Sequence, residues 1–392
     1  MLNIQTLSPT PSNFSRRDFL GALAAGVALW PVVSRADEST DSRVQELVDR
    51  TIGVDTHNHV DVPLSEVDLP GPELDLVGEL KRSGLSAICL TFAVDYQSLD
   101  SPGVAYERFI SGMKAMDAQL TRTKTRRALD FKDLQDAHQR HEPIVIQAVE
   151  GAHFLEGKVE RIEEAFKLGL RVLGLIHDND ASPPLGDIYT KPSRFGGLTS
   201  LGAAAIKECN RLGIVVDLTH ANVETVTMAL RVGNKPAIFS HTGLDSRLGS
   251  NPDFGRMMKP RLISKEHARD IAEAGSVVGV WTKMTDTPAD YVQAIRSMVD
   301  AAGVDHVCIG TDSKLTPGQN RGGPRGGPGG GGPGGRGRGG DRTNALWPDQ
   351  KAGFFYIVVA EMLKQGFTSA EIEKIGGGNF CRVFEECTTK RS

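Results

Sequence analysis

The chain has 392 residues, 39% hydrophobic and 24% charged, with a formal net charge of −4 at pH 7. That balance suits a soluble globular protein with a sizeable core, and it argues against a general nucleic-acid binder, which carries a basic field. The five cysteines form no Cys-x-x-Cys pair. They are read as structural, with Cys89 and Cys308 acting as small buried hydrophobes inside apolar runs.

The first 36 residues are set apart from the fold. Ser15-Arg16-Arg17-Asp18-Phe19-Leu20 is a twin-arginine pattern, and Gly21 to Val33 is an apolar run too short to span a bilayer comfortably. Ser34-Arg35-Ala36 then offers small residues where a signal peptidase reads. The expectation is a cleaved twin-arginine signal peptide over residues 1–36 and a periplasmic or otherwise exported protein over 37–392. An uncleaved N-terminal anchor is the alternative. No C-terminal apolar tail suggests a lipid-type anchor, so no stable membrane anchor is expected after cleavage.

Downstream, short apolar runs rich in β-branched residues alternate with longer amphipathic stretches. Eight strands are predicted: Thr51–His57, Ser86–Ala93, Pro143–Val149, Leu170–Ile176, Gly213–Thr219, Pro236–Ser240, Ser276–Trp281 and His306–Thr311. Helices are predicted at Glu73–Arg82, within Val104–His138, and at Val159–Lys167, Leu198–Arg211, Val223–Arg231, Lys265–Ala274, Pro288–Ala301 and Ala352–Gln365. Eight strands each followed by a helix is the arithmetic of an α/β protein of the (β/α)8 TIM-barrel type, a single domain whose active site sits at the strand ends. A doubly wound open sheet would favour a glycine-rich phosphate turn after its first strand; here that place holds Asp55-Thr56-His57-Asn58-His59. Gly318 to Gly340 is almost wholly Gly, Pro and Arg. Such chain cannot bury a core and is expected to be a flexible insertion after strand eight.

His57, His59, Glu150, His220, His241 and Asp312 all fall at predicted strand ends. Residues two apart in an extended segment face the same side, so His57 and His59 can hold one metal ion together. Glu150 can bridge two cations, and the following Gly151 lets a ligand approach the backbone. His220 and His241, from adjacent strands, suit a second cation. Asp312 can accept a hydrogen bond from metal-bound water. The set points to a metal-dependent hydrolase.

Val149-Glu150-Gly151, Gly197-Leu198-Thr199, Asn210 to His220, Ile238-Phe239-Ser240-His241 and Gly378 to Phe384 together resemble the zinc metallopeptidases that include renal (membrane) dipeptidase, within the amidohydrolase-type barrels. The resemblance runs from about Thr51 to Glu385. It implies two zinc ions per chain, the first on His57, residue 59 and Glu150, the second on Glu150, His220 and His241. It also implies Asp312 as the acid-base residue, His177 as a substrate-contacting and carbonyl-polarising histidine, Arg261 as the substrate-binding arginine, and a hydroxide bridging the metals as the nucleophile. A homodimer is expected by the same analogy. The family pattern at the first motif is His-x-Asp, whereas this chain has His57-Asn58-His59. Either His57 and His59 both ligate, or the register shifts to His59-Val60-Asp61. Val54 to Asn58 fits the family and favours the first. The expected partner is a dipeptide or small amide, with a lactonase, deacylase or other amidase as the alternative and a non-catalytic exported binding protein as the third.

Overall fold

Eight short runs of buried residues form strands because each is covered on both faces, by barrel interior on one and helices on the other. They are β1 (Val54–His59), β2 (Ala87–Ala93), β3 (Ile144–Glu150), β4 (Leu170–Gly174), β5 (Val215–Asp217), β6 (Ile238–Thr242), β7 (Val277–Val280) and β8 (Val307–Ile309). Each pairs in parallel with the next, and β1 also pairs with β8 through Asp55 and Ile309, so the sheet closes into a (β/α)8 barrel. This computed structural model describes residues 42–317, 342–348 and 350–389. The expected leader over 1–36 and the glycine-rich stretch Gly318 to Gly340 lie outside the described residues. Gln45–Ser392 forms one compact unit. Among the described residues, no helix is long and apolar enough to cross a membrane.

The connecting helices begin where the sequence offers a capping oxygen. Asp75, Thr199, Asn222, Ser264 and Thr287 each accept a hydrogen bond from a backbone N–H of the first turn they precede. The stretch Val104–His138 holds two helices, Val104–Thr123 and Phe131–Gln139, where one long helix was expected. Lys124 ends the first in a left-handed conformation, Arg126–Arg127 pairs briefly with β3, and Asp130 caps the second. The C-terminal helix Asn379–Thr388 sets Phe380, Val383, Phe384 and Cys387 into one core cluster with Val54, Ala87, Ile144, Val215, Ile238, Val277 and Cys308 near the strand starts. That packing seals the barrel at the end opposite the strand termini. All five cysteines are buried and free.

Candidate metal centre

Two of the strands that carry histidines take one extra residue where those histidines lie. In β1 the step from Asp55 to Asn58 matches only Ile88 to Leu90 of β2, and in β6 the step from Phe239 to Thr242 matches only Val278 to Val280 of β7. Such a bulge re-aims side chains, and here it turns His57, His59 and His241 toward the open end of the barrel. Glu150 is the last residue of β3, His177 follows β4, His220 follows β5 and Asp312 follows β8. His220 and Asp312 have φ of +74° and +52°, two of five non-glycine residues with positive φ among those described. Strain of this kind costs about 1–3 kcal/mol and concentrates at functional sites.

The five imidazoles His57, His59, His177, His220 and His241 all turn Nε2 toward Glu150. Glu150 Oε1 lies 2.8 Å from His220, 3.5 Å from His57 and 3.8 Å from His241. Oε2 lies 3.3 Å from His177 and 3.7 Å from His59. His57 and His59 Nε2 are 3.1 Å apart, as are His220 and His241 Nε2 at 3.2 Å. Asp312 Oδ1 is 3.2 Å from His59 Nε2. Three overlapping groups thus converge tightly enough to hold a cation: His57–Glu150–His241, His57–His59–Asp312 and Glu150–His177–His220.

The opposite ring nitrogens are all engaged by other groups. His57 and His241 Nδ1 stand 3.2 and 3.0 Å from Ser240 Oγ, and His220 Nδ1 is 2.7 Å from Tyr189 Oη and 3.2 Å from Asp178 Oδ1. His177 Nδ1 is 2.6 Å from Asp95 Oδ1, and His59 Nδ1 is 3.3 Å from Tyr96 Oη. Metal-ligating histidines are held in this way, one nitrogen orienting the ring while the other faces the ion.

The charges agree with a cation site. Burial pushes the Glu150 carboxyl up, but His177, His57 and His220 outweigh it and hold it well below the usual carboxylate range. Burial, with the neighbouring His241, lowers the pKa of His57 well below its ordinary value. His220 is also buried, yet its bonds to Asp178 and Glu150 raise it to about 10. Glu150 Oε2 is buried and accepts no hydrogen bond. A carboxylate oxygen in that position is costly unless a cation reaches it, so the residues present fit a metal ion.

The structure brings His57, His59, Glu150, His177, His220, His241 and Asp312 together. Asp61, the ligand in the shifted register, belongs to none of the three groups; Lys314 Nζ meets both of its oxygens at 2.8 Å. Arg261, in the turn Lys259–Arg261 after β6, places Nη2 2.5 Å from Asp178 Oδ2 and its guanidinium 5.4 Å from the centre of the Tyr189 ring. Lys283 Nζ is 3.8 Å from Asp312 Oδ2. Burial raises the Asp312 carboxyl, and Lys283, His241 and His59 outweigh it and hold it ionised. The sequence reading missed Asp95, Asp178, Tyr189, Ser240 and Lys283. Asp95 sits just past a strand end, and Asp178 and Ser240 adjoin site histidines, so position alone could have raised them. Tyr189 lies mid-loop and carries no such signal.

The family model described as membrane dipeptidase, peptidase family M19, matches residues 41–320 of the chain. Dipeptidase verJ of Clonostachys rogersoniana is 26% identical over 249 residues, 60% of this chain and 53% of that protein. The chain spans about half the length of the curated relatives it matches. Among solved structures, an amidohydrolase from Pseudomonas aeruginosa aligns with a TM-score of 0.67 at 20% identity, covering 88% of this chain and 98% of that one. A metallopeptidase from Rhodobacter sphaeroides, bound to a phosphinate mimic of the dipeptide L-Ala-D-Ala, aligns with a TM-score of 0.61 at 17% identity, over 86% and 99% of the two chains. At these identities the likeness is one of fold.

Proposed function

Because the chain belongs to the membrane dipeptidase family, we propose that it is a zinc-dependent hydrolase that cleaves the amide bond of dipeptides. The observation that carries this reading is the buried Glu150 Oε2, which accepts no hydrogen bond while the imidazoles of His57, His59, His177, His220 and His241 face its carboxylate. His57, His59 and Glu150 would hold one zinc ion, and Glu150, His220 and His241 the second. Two such ions supply Lewis acidity, lowering the pKa of water and polarising the substrate carbonyl.

The remaining work falls to side chains around this cradle. Asp312 is ionised and partly exposed at the rim, so it takes the proton from the attacking water as the new C–O bond forms. It then returns that proton to the amine nitrogen as the C–N bond breaks, and the acid and amine products leave. His177 is oriented by Asp95 and directs Nε2 into the cluster, from which it can donate to the carbonyl oxygen as charge develops there. Arg261 stands ready for a substrate carboxylate, once Asp178 yields it. The twin-arginine pattern Ser15 to Leu20 supports export as the setting of this activity.

One observation favours a second reading. The Asp178–Arg261 pair weakens the demand for a free carboxylate, which suits an amidase, deacylase or lactonase on the same barrel. The test is metal analysis of the purified chain with turnover of L,L- and L,D-dipeptides, N-acyl amino acids and lactones, before and after chelation. Two zinc equivalents and chelator-sensitive dipeptide cleavage are expected. Asp312→Asn should retain the metal and lose about 100- to 10,000-fold in kcat. A fully loaded protein inert toward dipeptides overturns the dipeptidase reading, and near-normal turnover by Asp312→Asn removes the role given to Asp312.

A further inference from the structure

Ser240 lies in β6 directly before His241 and is fully buried. Its hydroxyl oxygen is 3.2 Å from His57 Nδ1, 3.0 Å from His241 Nδ1 and 2.5 Å from Asp217 Oδ2. Its backbone is gripped as well: Thr56 Oγ1 donates to the Ser240 carbonyl at 2.7 Å. Gly310 makes room for that grip, since a Cβ there would stand 1.7 Å from the same carbonyl oxygen. One hydroxyl therefore touches histidines from β1 and β6, one from each of the two proposed zinc sets.

Counting protons fixes what those rings must be. A hydroxyl donates once and accepts twice. Asp217 Oδ1 is taken by the backbone N–H groups of Thr219 and Ser240 and by Thr219 Oγ1, which stands 3.4 Å from Ser240 Oγ with its own proton already spent, and Oδ2 accepts from the Ser240 hydroxyl. The Ser240 proton therefore goes to Asp217. Both remaining positions on Oγ are acceptors, so each imidazole must bring an N–H at Nδ1. Both Nε2 atoms are then bare lone pairs, and both lie on the Glu150 side.

We propose that Ser240 is a positioning residue that sets the ring tautomers of His57 and His241 together, through a single hydroxyl whose proton is committed to Asp217. The two ligand sets are thereby prepared in concert before any cation arrives. The proposal leans on the metallohydrolase reading only for what the bare nitrogens serve.

The tautomers are read on the metal-free full chain by long-range proton–nitrogen NMR of ¹⁵N-labelled histidine, with assignments from single His variants. In the wild type, His57 and His241 should both appear as the Nδ1–H form. Ser240→Ala removes the shared acceptor; both rings should then shift toward Nε2–H, and zinc affinity by competitive titration should fall about 10- to 100-fold. Asp217→Asn gives a different pattern. Its Oδ1 must keep the Thr219 and Ser240 N–H donors, so its amide nitrogen faces Ser240 Oγ and donates. The hydroxyl proton is then turned onto one imidazole, and one ring alone should change. Ser240→Thr keeps the hydroxyl and should restore the wild-type pattern. A wild-type spectrum with either ring as Nε2–H overturns the proposal, as does an unchanged Ser240→Ala spectrum. If a variant fails to fold, the wild-type spectrum decides by itself. Intact tautomers with no dipeptide turnover would count against the proposed function and leave this inference standing.

Discussion

Arg261 meets Asp178 before it meets any substrate. Its Nη2 contacts Asp178 Oδ2, and the other oxygen of Asp178 stands 3.2 Å from His220 Nδ1. A substrate carboxylate seeking the guanidinium must compete with one already in place. The pair is only partly buried, so its strength is modest, about 1 kcal/mol or less for an exposed geometry and more as solvent is excluded. Asp178→Asn should therefore lower KM for dipeptides with a free carboxylate by about three- to tenfold, with KM for the matching dipeptide amides unchanged. Tyr189 continues to hold His220, and zinc content is measured alongside so that metal lost with the Asp178–His220 contact is separated from the change in KM. Equal KM changes for both substrates would remove Asp178 from specificity. Asp61 is a contrast at the same scale. Its spacing after His59 fits a ligand, but Lys314 claims both oxygens, and no local pattern in the sequence announces that partner.

At the scale of the element, the turn leaving β3 is tightly constrained. Gly151 has φ of +81°, and a Cβ there would stand 2.5 Å from His153 Nδ1 and 2.9 Å from His177 Cβ. Its neighbour Glu150 is the carboxylate shared by every imidazole of the centre. Gly151→Ala should cost about 1–3 kcal/mol from the backbone alone, displace His177 and weaken zinc binding, all measurable by denaturant unfolding and metal titration. Unchanged metal affinity would show that the turn tolerates the shift. The bulges in β1 and β6 belong to this scale too. Alternation predicts that His57 and His59 share a side, and their Nε2 atoms do lie 3.1 Å apart. It does not predict which side, because one inserted residue reverses every side chain beyond it.

Across the whole molecule, the closed barrel gathers titratable groups whose protonation bears on stability. In the metal-free protein His220 is raised to about 10 from an ordinary value of 6.5, because its bonds to Asp178 and Glu150 outweigh burial. A raised pKa stabilises the fold fully below the unfolded value and loses that contribution as pH rises through the folded one. The melting temperature of metal-free protein should therefore fall between pH 6.5 and about 10 from this group. A zinc ion bound as proposed would replace the proton, so the loaded protein should lack that decline, and uptake at pH 8 should release protons detectable by calorimetry in buffers of different ionisation enthalpy. At free zinc 100-fold above Kd the fold should gain about 2.7 kcal/mol. A metal-free protein that melts alike across this range, with no proton release, would contradict the assigned state of His220.

The order of eight strands and their helices was legible because each rests on neighbours two to four positions away. Placing His57, His59, Glu150, His177, His220, His241 and Asp312 at strand ends needed nothing more than that order and the fold it implies. What holds those rings was not legible. Ser240 reaches His57 across 183 positions, Asp95 reaches His177 across 82 and Asp178 reaches Arg261 across 83. Those partners meet because the sheet curls into a barrel and brings every strand end to one rim. Local sequence encodes the period of an element and the chemistry at its end. The proton count at each ring nitrogen depends on which distant side chain the closed barrel delivers to it.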